Sequence, residues 1–192
     1  AKTDFSATIF RAEARFRSSA FNAEANFFSA SFNAEADFHK TTFSTDVNFG
    51  DSTFSADADF RVTMFNGKTN FYGSTLKSYV SFSGRKSMKR YGEHSRLDFQ
   101  FSHIEKPDRV SFHTLDLKPY WFINCDCRKF EFVDCGWNHN LKQELEGATK
   151  AEISPPHRLL AITLRHLADN AEANHRYYEA SNFRYNAFES RR

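Results

Sequence analysis

Almost nothing in these 192 residues has the pattern of a reaction centre. There is no G-x-S-x-G nucleophile turn, no glycine-rich phosphate loop and no H-E-x-x-H zinc helix. Cysteine is scarce: Cys125, Cys127 and Cys135 form an odd, clustered set that argues against a disulfide framework and fits a reducing compartment. No apolar run reaches the ~18 residues of a membrane span. No secretory signal is present either, although a chain that opens Ala1-Lys2 without Met makes that absence uninformative. Neither sign of charge dominates: 26 Lys and Arg against 24 Asp and Glu leave +2, too even a balance to mark a nucleic-acid binder or an acidic decoy. Leucine is also sparse, and 23 phenylalanines stand in its place.

Those phenylalanines keep time. Phe5, Phe10, Phe16, Phe21, Phe27, Phe32, Phe38, Phe43, Phe49, Phe54, Phe60, Phe65, Phe71, Leu76 and Phe82 are spaced by alternating steps of five and six. An eleven-residue repeat suits a right-handed coiled coil. Five residues on a helix, however, put the two Phe classes about 140° apart, and the intervening Ser, Thr, Asn, Asp and Gly are poor helix formers. A flat strand fails because a step of five reverses the face. A corner about every five residues brings every Phe inward. Two residues before each large residue lies a small or β-branched one, as with Ala25, Ala36, Val47, Ala58 and Thr69. Positions i and i−2 of a strand share a face, so each side of a narrow coil receives one large and one small inward residue. Asn, Asp, Glu, Arg and Ser fill the remaining positions, as a solvated exterior requires.

This pattern resembles the pentapeptide-repeat proteins in their Phe-centred, alternating five- and six-residue variant. The resemblance covers residues 5 to 82 strongly and implies a mainly β fold: a right-handed quadrilateral β-helix with stacked Phe ladders. After residue 82 the beat breaks. Residues 83–97 carry Arg85, Lys86, Lys89, Arg90 and Arg96 against Glu93 alone, which reads as a projecting basic loop. A partial recovery at Leu97, Phe99 and Phe101 precedes clean fives at Phe112, Leu117, Phe122, Cys127, Phe132 and Trp137. The expected organisation is a β-helix over 1–137, a connector over 138–153 and an α-helical hairpin over 154–192 capping the open end. Ser154 is the expected N-cap, Leu160, Leu164, Leu167 and Ala171 the first buried face, and Asp169-Asn170 the turn between the helices. The second helix would run from about Glu172, with Tyr177, Ala180, Phe183 and Ala187 on one face and Tyr178, Tyr185 and Phe188 flanking it.

The tail Ala180-x-x-Phe183-x-Tyr185-x-x-x-Glu189-x-Arg191-Arg192 resembles a subset of bacterial pentapeptide-repeat proteins whose hairpin lies between the repeats and C-terminal transmembrane segments. Ala187 departs from that subset, where an acid is expected. The likeness implies a cytoplasmic chain at the inner face of the membrane, with Arg191 and Arg192 at the lipid surface.

Candidate sites are few. Cys125, Cys127 and Cys135 with His139 or His113 could make a soft metal site, but all three cysteines fall on inward positions where small apolar residues belong. The eight histidines show no metal spacing, and carboxylate pairs such as Glu35/Asp37 and Asp57/Asp59 recur with the repeat and read as solvated exterior. The basic loop is either a solvated insertion or a contact for an anionic surface. Three functions follow: a non-enzymatic, cofactor-free scaffold for a protein partner; a DNA-mimicking topoisomerase inhibitor, by family analogy; and a cysteine-ligated metal protein. The second needs an acidic rod, whereas nine acids and eight bases in residues 1–82 leave only −1, so nucleic-acid mimicry and binding are not expected.

Overall fold

The computed structural model describes residues 1–84 and 95–191, and there the chain winds into a four-sided parallel β-solenoid followed by α-helices. Residues 22 apart stack from coil to coil: Phe10 pairs with Phe32, Ala14 with Ala36, Ala25 with Val47. One side is built from five short strands, from Thr3–Asp4 to Arg96–Asp98, and the next from five between Ile9–Phe10 and His103–Ile104. The third has six, from Ala14–Arg15 to Glu131–Val133. The fourth side is divided into Ala20–Phe21, Thr42–Phe43 and Met64–Phe65 before residues 85–94, and Asp116–Leu117 and Gly136–Trp137 after them.

The Phe rings fill the interior as ladders. Phe16, Phe38, Phe60 and Phe82 stack nearly parallel with ring centroids 4.9, 5.0 and 5.1 Å apart, and Phe10, Phe32 and Phe54 at 4.8 and 4.6 Å. Ladders on opposite sides meet edge to face across the axis, as Phe27 does with Phe38 at 5.6 Å and Phe49 with Phe60 at 5.5 Å. Both arrangements suit the ring quadrupole, and each such pair adds about 0.5–1.5 kcal/mol beyond area burial.

The alternating beat has a backbone cause. In each five-residue step the second residue after Phe is left-handed: Ala7, Ser18, Ser29, Lys40, Asp51, Val62 and Gly73 all have φ between 52° and 66°. The Phe carbonyl accepts from the N–H three residues on, as in Phe16 O with Ser19 N–H at 3.0 Å, closing a tight turn with a left-handed third residue. The six-residue steps carry an extra residue instead. Asn and Asp just before these Phe brace the same corner. Asp4, Asn26, Asp37, Asn48, Asp59, Asn70 and Asp98 each accept the N–H two residues on, at 2.8–3.2 Å, as Asx turns do.

Two exterior expectations change accordingly. Asp37 is buried, its carboxylate held by the His39 N–H and by Arg17 at 2.8 Å, so it is a bracing residue rather than solvated exterior. Phe101 does not rejoin the core: it sits at a left-handed corner (φ 57°) two residues after Phe99, which turns its ring outward against Tyr72, 58% exposed.

The solenoid's C-terminal end is covered by α1 (Leu141–Lys150), α2 (Pro156–Ala173) and α3 (Tyr177–Glu189). The expected connector therefore contains a helix. Its Asn140 cap accepts the Gln143 N–H at 3.2 Å. Pro155, not Ser154, precedes α2, so that helix starts on proline geometry without a side-chain cap. Leu160, Leu164, Leu167 and Ala171 are buried, as are Ala180, Phe183 and Ala187, whereas Tyr177 at the start of α3 is exposed. The hairpin turn lies at 174–176, because Asn170 is engaged with the solenoid. No described helix is long and apolar enough to cross a membrane.

Inward hydroxyls supply a test. Thr63 Oγ1 donates to Phe38 O at 2.7 Å, whereas the equally buried Thr69 Oγ1 has no partner. Thr63→Val is expected to lower unfolding stability by about 1–2 kcal/mol, and Thr69→Val to leave it unchanged or raise it. Equal losses in denaturant titrations would contradict this account of the inward hydroxyls.

Candidate functional site at the capped end

The last coils change chemistry where the cap meets them. Lys118 leads into a short 3-10 turn, Pro119–Phe122, whose four side chains are all buried. Lys118 Nζ lies 5.6 Å over the Trp121 ring. The α1 helix rests directly on Tyr120: a Cβ at Gly147 would come within 2.5 Å of the Tyr120 ring, so only glycine permits this approach. Glu144 turns inward beside it, 2% exposed. Its carboxylate accepts the Tyr120 N–H at 2.9 Å and the Asn138 side-chain N–H at 2.5 Å. Burial dominates over these donors and the nearby Lys118, and pushes the carboxyl up to about 7.

On the other flank of the cap, Asn170 of α2 plugs the corner of the final coil. Its Nδ2 donates to the carbonyls of Cys127, Arg128 and Phe130 at 3.2, 3.0 and 2.8 Å, and its Oδ1 accepts from Arg176 at 2.7 Å. Arg176 also pairs with Glu179 at 2.5 Å. One amide thus supplies a donor to the Arg128 and Phe130 carbonyls and a second one to the Cys127 carbonyl, which also accepts the Phe130 N–H at 3.2 Å, and Arg176 holds the amide in place.

Two clefts flank α1. A polar one, about 560 Å³, is lined by Ser95, Arg96, Lys118, Tyr120, Asn138 and Gln143. The other, about 590 Å³ and shallow, has the half-buried Leu141 and Leu145 as its floor and the exposed Lys142, Thr149, Lys150 and His157 around it. Glu146 and Lys150 on the crest of α1 border both. The second runs on past His157 to Arg158, Ser190 and Arg191, where His157 Nδ1 lies 3.2 Å from Ser190 O.

Of the residues singled out by sequence, Arg96 lies in a strand, paired with Asp98 at 2.8 Å, and borders the polar cleft. Arg191 is exposed at the end of the apolar groove. Arg85, Lys86, Lys89, Arg90 and Arg192 lie outside the described residues. The structure brings Arg96 beside α1 and sets Arg191 on the far side of that helix. The cysteines are core: Cys125 and Cys127 are buried and Cys135 largely so, and burial pushes the Cys125 and Cys135 thiols up to about 12 and about 11. Among the described residues no three or more His, Cys, Asp or Glu converge as a metal site. Sequence reasoning missed Glu144, Gly147 and Asn170. The signals for α1 are Asn140 three residues ahead of Gln143, a capping pattern, and Leu141, Leu145 and Ala148 at helical spacing. No family model, curated protein or solved structure matches the chain.

Two substitutions probe the cap. Asn170→Leu leaves the Arg128 and Phe130 carbonyls without this donor and is expected to lower stability by about 2 kcal/mol, while Asn174→Leu, on the exposed side, has little effect. A loss confined to Asn174 in thermal melts would contradict the plug. Glu144 binds its proton more tightly folded, near 7, than at its ordinary value of 4.5. Its contribution is therefore best below the unfolded value and is lost as pH climbs to about 7, an effect of the order of 3 kcal/mol. Glu144→Gln is expected to flatten the fall in melting temperature between about pH 5 and pH 8. A variant with the same slope as the parent would show that the carboxyl is not the group responsible.

Proposed function

We propose that the chain is a pentapeptide-repeat scaffold of the Phe-centred variant. It acts as a non-enzymatic interaction module of the cytoplasm, whose working surface for a protein partner is the capped end rather than the coil faces. The observation that carries this reading is the distribution of uncommitted chemistry. On the coils many polar side chains brace corners or neutralise one another, as Asp37 with Arg17 and Asp59 with Arg61, and the exposed cations without an ion pair among the described residues, such as Arg11, Lys40 and Lys68, are scattered one by one. At the cap, among the described residues, Lys142, Lys150, Arg158 and Arg191 have no ion-pair partner and border half-buried leucines. The resemblance in the Phe beat supplies the family, and the absence of a converging nucleophile, base or acid in either cleft supports a binding role.

Proximity labelling in cells supplies the test. Lys150→Glu and Arg158→Glu are expected to lose the labelled partner, while Thr53→Lys on a coil face keeps it. Turnover in an unbiased metabolite screen, or inhibition of a topoisomerase in a supercoiling assay at low micromolar protein, would overturn the reading in favour of an enzyme or a DNA mimic.

A further inference from the structure

The α1 helix buries Glu144 and Ala148 more deeply than its leucines, which are half-buried at the edge of the core. An amphipathic helix ordinarily buries its leucines. Here the residues turned to the solenoid are Glu144, Gly147 and Ala148, whereas Leu141 and Leu145, one turn apart, are left half-buried as the floor of the 590 Å³ groove. Two exposed cations, Lys142 and Lys150, border that floor, and two more, Arg158 and Arg191, line the adjoining cleft beyond His157; Glu146 is the exposed acid among the described lining residues. None of the four cations is ion-paired among the described residues.

We propose that this groove is the docking site for a short amphipathic helix of a protein partner, with apolar anchors on one face and carboxylates flanking them. Three features select that occupant. The rim has an excess of positive charge, so a complementary ligand is acidic and is steered there electrostatically. The groove is shallow, and Leu141 and Leu145 are half-buried against the core rather than projecting; a membrane is met by projecting side chains, whereas a shallow groove takes a convex ridge. The groove is open along its length and continues past His157 to the end of α3. A small ligand is normally enclosed over most of its surface, but a helix needs only one face covered, with anchors at i, i+3 or i+4 and i+7. Leu141, Leu145 and Thr149 repeat at four-residue intervals, the matching spacing on the receiving helix.

This inference deepens the interaction-module reading and rests on it. The test is selection of displayed random peptides of about 16 residues, some four helical turns, against the full chain. The expected winners carry Leu, Phe or Met at helical spacing with Asp and Glu between them. They should lose about tenfold or more in affinity, some 1.4 kcal/mol, on Leu145→Asp and on the surface pair Lys142→Glu/Arg158→Glu. Tyr178→Ala, on the exposed face of α3, should leave binding unchanged. The double charge variant alters only exposed side chains, so it guards against misfolding of the leucine variant. The site is wrong if winners are basic, lack the periodicity, or bind both variants undiminished. It is equally wrong if phosphatidylglycerol vesicles or a second copy of the chain, by co-sedimentation and sedimentation velocity, show the same residue dependence instead. Winners that map to another surface overturn the groove but leave the interaction module standing, whereas enrichment of no peptide on any surface counts against both.

Discussion

A coil of 22 residues must close on itself with four large side chains pointing inward, and the left-handed corner is what makes that closure possible. The Phe that opens each five-residue step needs the chain to change direction almost at once, and the residue two positions later accepts a positive φ to do it. An Asn or Asp ahead of the Phe holds the turn through its side chain. With the corners fixed, the rings have no freedom except to superpose on the coil above, at separations near 5 Å. Ladder, strand register and the small inward partners all follow from that local geometry. Short strands of two residues would be marginal alone; here they persist because every coil pairs with both neighbours.

A solenoid built this way ends in open carbonyls and exposed rings, and the chain answers the problem at its C-terminal end with polar chemistry rather than with more hydrophobic area. Asn170 donates one amide to three carbonyls, and Glu144 accepts a backbone N–H in a site dry enough to raise its pKa. Both are buried polar groups whose partners must be in place for the cap to close. The cap is therefore held in one orientation, with the leucines of α1 left half-buried at the edge of the core. Polar anchoring and the exposed groove are two sides of the same arrangement.

The Phe beat made the coil legible from sequence because each inward position is set by contacts 22 residues away that obey the same rule. Phe27, Phe38, Phe49 and Phe60 are placed by period alone. Phe101 shows where period misleads: an aromatic near the beat is a core residue only if it occupies the inward position, and the corner rule puts it outside. The α1 segment reads as a connector because it is mostly polar; the Tyr120 ring beneath it, not local preference, explains Gly147. The clefts were illegible for the same reason. Ser95, Lys118 and Gln143 are distant in sequence and share a surface only through the stacking of coils and the docking of the cap. Arg96, which reads as part of a projecting basic loop, is a paired strand residue because Asp98 follows it on the same face.

The divided fourth side has a further meaning. Residues 85–94 interrupt one side of one coil, yet the ladders on the neighbouring sides run past the interruption unchanged, Phe60 to Phe82 to Phe112 at 5.1 and 4.9 Å and Phe71 to Phe99 at 5.1 Å. Length added there is not transmitted along the rod, since each coil answers only to the ones above and below. That side is a natural graft point, where new chain can be acquired, lost or exchanged without renegotiating the core. The architecture thus separates what must stay constant from what is free to vary.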